Sequence, residues 1–308
     1  MTSRLRGGLL IGLIATVCAC SVWGVAWFRA RSVTPGLLLK RLPTSGAIIV
    51  YLDFRVLRQA GFFNQIENAK ITEDPEYAEF VRNTAFDYKQ DLDTAMVAFA
   101  PGGKYLLLRG RFDWKRLRAY VESQNGTCYN SLCRVQGSTL ERRISFFPLE
   151  TNLMALAVSP DESAAVRLQD AAPGPTPEMP AELLKAPAWM SIPAAVLRSD
   201  GVPEGARPFT RSMDQAESVF LSFAPEGKRI AARLDVRCRT SEDAASLASQ
   251  LTRTTALLRE MMARDRRTPD SAGLSGVLTA GSFRSEGPRV FGYWPIEPAF
   301  LDQLLAGS

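Results

Sequence analysis

The chain has 308 residues, 46% apolar and 22% charged, enough to bury a real core, and this excludes global disorder. Its net charge is +5, yet six basic residues (Arg4, Arg6, Arg29, Arg31, Lys40 and Arg41) flank one N-terminal apolar segment, and without them 31 basic residues face 32 acidic ones. That leaves no cationic body for nucleic acid, and the absence of any histidine excludes Ser-His-Asp and Cys-His catalysis and His-ligated zinc.

Residues 7–28, GGLLIGLIATVCACSVWGVAWF, carry no charge. At 1.5 Å rise per residue such a run spans a hydrocarbon core of about 30 Å. Trp23 and Trp27 lie near its end, where aromatic rings favour the interface. The expectation is an uncleaved single-pass anchor over residues 1–30, followed by a juxtamembrane linker over 31–45. A lipoprotein signal with Cys20 as acceptor and a cleaved signal peptide are the alternatives. The short tail before the span favours export of the body. Gly8 and Gly12 form a G-x-x-x-G spacing that lets two such helices approach, a route to self-association through the span.

The body opens with AIIVYLD, residues 47–53, an apolar β-branched run expected as a strand, with Asp53 capping a following helix. Asp74-Pro75 predicts the start of a second helix. TAMVAFA and KYLLLRGR around Pro101-Gly102-Gly103 predict a hairpin, and Asp113 predicts a cap for WKRLRAYVES. Cys128 and Cys133, with four residues between them, suit a small disulfide-closed loop in an oxidising compartment. Further strands are expected over 143–149 and 154–159, with a helix starting near Pro160-Asp161.

Five prolines between Ala171 and Pro187 predict a semi-rigid connector over 171–187, dividing a first α+β repeat (46–170) from a second (188–308). The second half reads in the same order: a WMSI strand, a short helix, a hairpin around Pro225-Glu226-Gly227, a helix over 241–264, a last hairpin drawn from 276–296, and a closing helix over 297–305. Phe99-Ala100-Pro101-Gly102-Gly103-Lys104 matches Phe223-Ala224-Pro225-Glu226-Gly227-Lys228 at the same place in each series, which points to duplication. A β-α-β-β-α-β order in each half predicts two ferredoxin-like repeats with antiparallel sheets, after an N-terminal transmembrane helix.

The apolar span, the Leu42-Pro43 step before a hydrophobic strand ending in Asp53, and the closing FRSEGPRVFGYWPIEPAFLDQLL pattern together resemble a bacterial membrane-anchored family of unknown function. That resemblance implies a bacterial envelope location and a two-repeat architecture. It brings no activity and no site residues.

Gly102-Gly103-Lys104 lacks the spacing of a phosphate loop and lies between two strands. Arg109, Arg111, Lys115, Arg116 and Arg118 form the densest basic cluster, expected as a solvated face, with contact to an anionic surface as the functional alternative. Asp87, Asp91 and Asp93 lack the spacing of an EF-hand loop and are expected as loop and capping residues. Cys238 is expected as a buried apolar residue, and Tyr293-Trp294-Pro295 as core packing with exposed binding aromatics as the alternative. No catalytic residue, metal site or cofactor is predicted, and the expected partners are the membrane and a protein, not nucleic acid. The chain is therefore expected to be a non-catalytic envelope module for binding or assembly. The alternatives are a hydrolase using a carboxylate or Ser/Lys pair and a lipid or polyanion binder.

Overall fold

The computed structural model describes residues 34–61, 75–137, 139, 142–170, 178–198, 213, 215–265, 270 and 272–305. The chain forms two compact units, residues 1–38 and 39–308. The proposed span over 7–28, with Gly8, Gly12 and Cys20, lies outside the described residues. Among the described residues no helix is long and apolar enough to cross a membrane. The short helix α1 (Pro35–Leu39) falls within the stretch expected as linker.

Residues 39–308 build one twelve-stranded sheet in the order β11-β12-β10-β9-β8-β1-β2-β3-β7-β6-β5-β4, antiparallel at each pairing. β1 (Ile48–Asp53) ends on Asp53, whose carboxylate accepts from Val56 N–H at 3.1 Å and starts α2 (Phe54–Gln59). After α3 (Pro75–Thr84) and the one-turn α4 (Tyr88–Asp91), the chain enters β2 (Leu92–Ala100). β2 returns beside β1, pairing Asp53 with Thr94 and Ile48 with Phe99.

That return corrects the ferredoxin-like expectation. In such a sandwich the helix must carry the chain back along the sheet, so that the next strand runs parallel to the first and leaves room for an antiparallel strand between them. The residues between β1 and β2, 54–91, include the ten-residue α3 and have ample reach for that crossing, so strand pairing and not chain length decides where β2 lies. The chain instead comes back at the end it left and pairs antiparallel. Nor do the halves form two sheets, because β8 (Ala188–Pro193), at the close of the Pro-rich stretch, pairs directly with β1.

β3 (Gly103–Gly110) completes the first hairpin around Pro101-Gly102, and the register pairs Ala100 with Gly103. Gly103 is required there: its φ is +143°, and a Cβ would lie 2.6 Å from the Val158 carbonyl oxygen of the neighbouring strand. Asp113 caps α5 (Trp114–Ser123) through the N–H groups of Lys115 and Arg116. β4 (Thr127–Tyr129) and β5 (Leu132–Gln136) follow as a hairpin, then β6 (Arg143–Glu150) and β7 (Leu153–Ser159), with β7 pairing onto β3. Instead of the helix expected near Asp161, a 3₁₀ turn at Val166–Gln169 buries Leu168, and Ala165 N–H beside it donates to Ser145 Oγ of β6 at 3.3 Å.

In the second half β8 leads through α6 (Ala194–Leu197) to β9 (Ala216–Glu226) and β10 (Arg229–Cys238). α7 (Ser241–Arg264) follows, capped by Thr240. Residues 276–280, expected within the last hairpin, belong instead to α8 (Leu274–Ala280), and the last hairpin is β11 (Ser282–Glu286) with β12 (Arg289–Ile296), before α9 (Pro298–Leu305). β12 pairs with β10 as β7 does with β3, so the strand order outward from the β1–β8 seam is the same in both halves until β5 and β4 extend the first. The matched six-residue segments do not turn alike: the second hairpin pairs Glu226 with Arg229 and turns at Gly227-Lys228, two residues further along.

One sheet face is buried at its centre by Ile49, Met96, Leu107, Ala155 and Trp189, all at most 1% exposed. Tyr51 stacks on Trp189 across the seam, centroids 5.4 Å apart, and burial pushes its hydroxyl pKa up to about 12. On the other face α7 sets Ala244, Leu247, Ala248 and Leu251 against Val219, Leu234, Val236 and Val290. Because the seam belongs to both halves, urea unfolding of the chain is expected to be a single transition, coincident by circular dichroism and by tryptophan fluorescence. Trp189→Ala is expected to lower its free energy by about 3–5 kcal/mol. Two separated transitions would show halves that fold independently.

Candidate functional site

β9, β10, β12 and β11 alternate apolar residues under α7 with polar residues on the opposite face, the period-2 pattern of a sheet with one face open. The register lines the polar residues up in rows across the strands. Ser222, Arg233, Tyr293 and Ser282 form one row, and Phe220, Asp235, Phe291 and Arg284 the next. Ser218, Arg237, Arg289 and Glu286 form the third. Residues 180–187, with a 3₁₀ turn at Leu183–Lys185 whose Leu183 is buried, wall the first two rows. The result is a groove of about 750 Å³.

The floor of the groove is charged but internally compensated. Arg289 grips Asp235 in a bidentate pair, with Nε to Oδ1 at 3.0 Å. Arg233 reaches Glu226 at 3.0 Å, and beyond the groove, on the third row, Arg237 reaches Glu178 at 3.1 Å. Arg284 pairs with Glu286 at 2.9 Å, and Lys185 with Glu182 at 2.7 Å. The Arg284 and Arg289 guanidiniums both lie over the Phe291 ring, 4.5 and 5.2 Å from its centroid. Tyr293 donates its hydroxyl to Glu226, and that bond raises its pKa. Such an arrangement offers an aromatic ring, hydroxyls and oriented guanidiniums without a large net field.

The structure splits the Tyr293-Trp294-Pro295 group: Trp294 packs edge-on against Phe283 beneath α7, and Tyr293 lines the groove. The basic cluster is split too. Arg109 is buried within the sheet at 5% exposure, and the other four are outside it. Arg111 pairs with Asp91 at 2.7 Å and Arg116 with Asp113 at 3.5 Å. Asp87 caps α4 through Lys89 N–H, accepts from Tyr77 Oη at 2.8 Å, and donates its own N–H to Asp91. Asp93 lies 3.8 Å from Arg58. Cys128 and Cys133 stand opposite each other on β4 and β5 and are joined as a disulfide. Cys238 is buried on β10 beneath α7, and burial raises its thiol pKa.

Thr94 Oγ1 and Arg109 Nε, on directly opposed residues of β2 and β3, are buried without a hydrogen-bond partner. A guanidinium nitrogen buried without a partner carries a desolvation cost. Comparison with family models and with curated proteins gives no match. Among solved structures, crystal form III of TP0453 matches 89% of this chain and 97% of that chain, with a TM-score of 0.54 and 11% identity. Crystal form IV of TP0453 matches 87% and 96%, with a TM-score of 0.50 and 10% identity. At such identity the likeness shows the fold alone, and it extends over both halves as one body. Arg109→Met is expected to raise stability by about 1 kcal/mol in urea titrations. A loss of several kcal/mol would mean that the other guanidinium nitrogens are bonded well enough to offset that cost.

Proposed function

We propose that this chain is a non-catalytic binding or assembly module of a bacterial envelope, tethered by its N-terminal apolar segment, with the β9–β12 groove as its ligand-facing surface. The observation that carries this reading is the cluster of Phe291, Tyr293 and stacked guanidiniums on neighbouring rows, held on strands at the floor of a walled groove. Side chains on strands are pre-ordered, so a ligand gains contact at little cost in side-chain entropy. Each cation in the floor already has a carboxylate, which favours a ligand with an aromatic or planar polar group over a polyanion. The shared strand order of the halves and the matched hairpin segments support an origin by duplication.

Full-length chain is expected in the membrane fraction and to resist carbonate washing. Deletion of residues 1–30 is expected to release it. Recovery of the full-length chain as freely soluble cytosolic material would refute the tether. Peptides selected from a random displayed library against the chain are expected to lose at least tenfold in affinity on Phe291→Ala or Tyr293→Ala, with little dependence on salt. Turnover of an ester, peptide or glycoside panel that disappears on changing one carboxylate would make the protein a hydrolase instead. Salt-sensitive binding of the released body to anionic vesicles, with none to neutral ones, would make it a lipid or polyanion binder.

A further inference from the structure

The two edges of the sheet differ. At one end lies β4, three residues long; at the other lies β11, Ser282–Glu286, with four of its five residues exposed. Cys238 N–H donates to the Pro288 carbonyl at 2.8 Å, which sets the phase of the ladder between β10 and β12. The even-numbered residues of β12 bond to β10, so its odd-numbered ones, Arg289, Phe291 and Tyr293, bond to β11. Their partners are Glu286, Arg284 and Ser282. The backbone N–H and C=O groups of Phe283 and Ser285 therefore point away from the sheet, and among the described residues neither makes a backbone hydrogen bond on that side.

A charged edge ordinarily deters strand pairing. Here the charges change sign about Ser285, with Arg284 before it and Glu286 after it. We infer that β11 pairs antiparallel with β11 of a second copy about a two-fold axis at Ser285. In that register the two Ser285 residues exchange N–H···O=C bonds. Arg284 of each copy stands opposite the other's Glu286, and Phe283 stands opposite Gly287, which has no side chain to clash. Shifting the centre to Arg284 would oppose two arginines, so the charges select one register. α7 packs against β11, and α8 runs into it through Gly281. A five-residue strand pair alone buries little area, and these two helices expose Leu257, Met261, Leu274 and Leu278 as further apolar surface. This pairing is a form of the assembly role proposed above, and it shares with the groove only the β11 residues that line it, leaving Phe291 and Tyr293 untouched.

The test is made on the full-length chain in detergent by sedimentation equilibrium, with cross-linking of single-cysteine additions. Wild type is expected to dimerise reversibly. Ser285→Pro, which removes an N–H that no intrachain bond uses, is expected to abolish the dimer without lowering thermal stability. Arg284→Glu is expected to weaken it about tenfold, and the double reversal Arg284→Glu with Glu286→Arg to restore it. Ser285→Cys is expected to give a disulfide dimer on oxidation, whereas Ser282→Cys stays at the wild-type background. A wild-type monomer at every concentration would overturn the inference. So would a dimer insensitive to Ser285→Pro, which would place association in the apolar span, or a double reversal that restores nothing. The peptide measurements on Phe291→Ala and Tyr293→Ala stand apart from these outcomes.

Discussion

The antiparallel seam between β1 and β8 is the contact on which the rest of the body depends. Tyr51 and Trp189 stack across it, Ile49 stands opposite Ser191, and the strands on either side extend outward from it. A sheet that ended at β1 would leave the backbone groups of an apolar strand unpaired at the middle of a buried face. Pairing with β8 satisfies those groups and joins the two halves into one core. The Pro-rich stretch is consequently no spacer between domains. Its last residues are bound to the sheet, with the Pro187 carbonyl accepting from Asp53 N–H at 2.6 Å and Leu183 buried beside β9.

Local chemistry made most elements legible. Asp53 and Asp113 precede their helices as capping residues, and their side chains take up the first free N–H groups. Pro101-Gly102 turns its hairpin, and the 24-residue helix of the second half has the bounds its apolar spacing gives. α8 was hidden because Val277 and Thr279 are β-branched, which favours strand by propensity. In the helix Thr279 Oγ1 bonds back to the Ser275 carbonyl at 2.8 Å, and Arg259 of α7 donates to the Thr279 carbonyl at 2.7 Å. Neither contact is visible in a window of local sequence. Between Cys128 and Cys133 a small loop was expected but not the strands beside it, because Asn130 and Ser131 both take positive φ and serine does not signal such a hairpin turn.

The groove was less legible still. Arg233 and Tyr293 are sixty residues apart in sequence and become neighbours only through the register of β10 and β12. Residue type did separate Tyr293 from Trp294 once the strand was known, since alternation sends adjacent side chains to opposite faces. Local reading also grouped Arg109 with four other basic residues, although alternation along β3 turns it into the sheet interior. A run of like charges in sequence is no patch in space when it starts on a strand, crosses a cap and ends on a helix. The ferredoxin-like reading failed in the same way. The β-α-β-β-α opening of each half was read in order, but the strands and helices beyond it were not, and strand adjacency is fixed by which edge is left unpaired.

The hairpin of β4 and β5 gives the far margin of the sheet a different character. It offers only three residues, is stapled across by Cys128 and Cys133, and ends beside a 73% exposed Tyr129 at a tight turn. Growth of a fibre by strand addition needs two competent ends, so that each newcomer leaves a fresh one behind. A body blunted at one margin has valence one, and whatever docks at the other margin completes the assembly and terminates it.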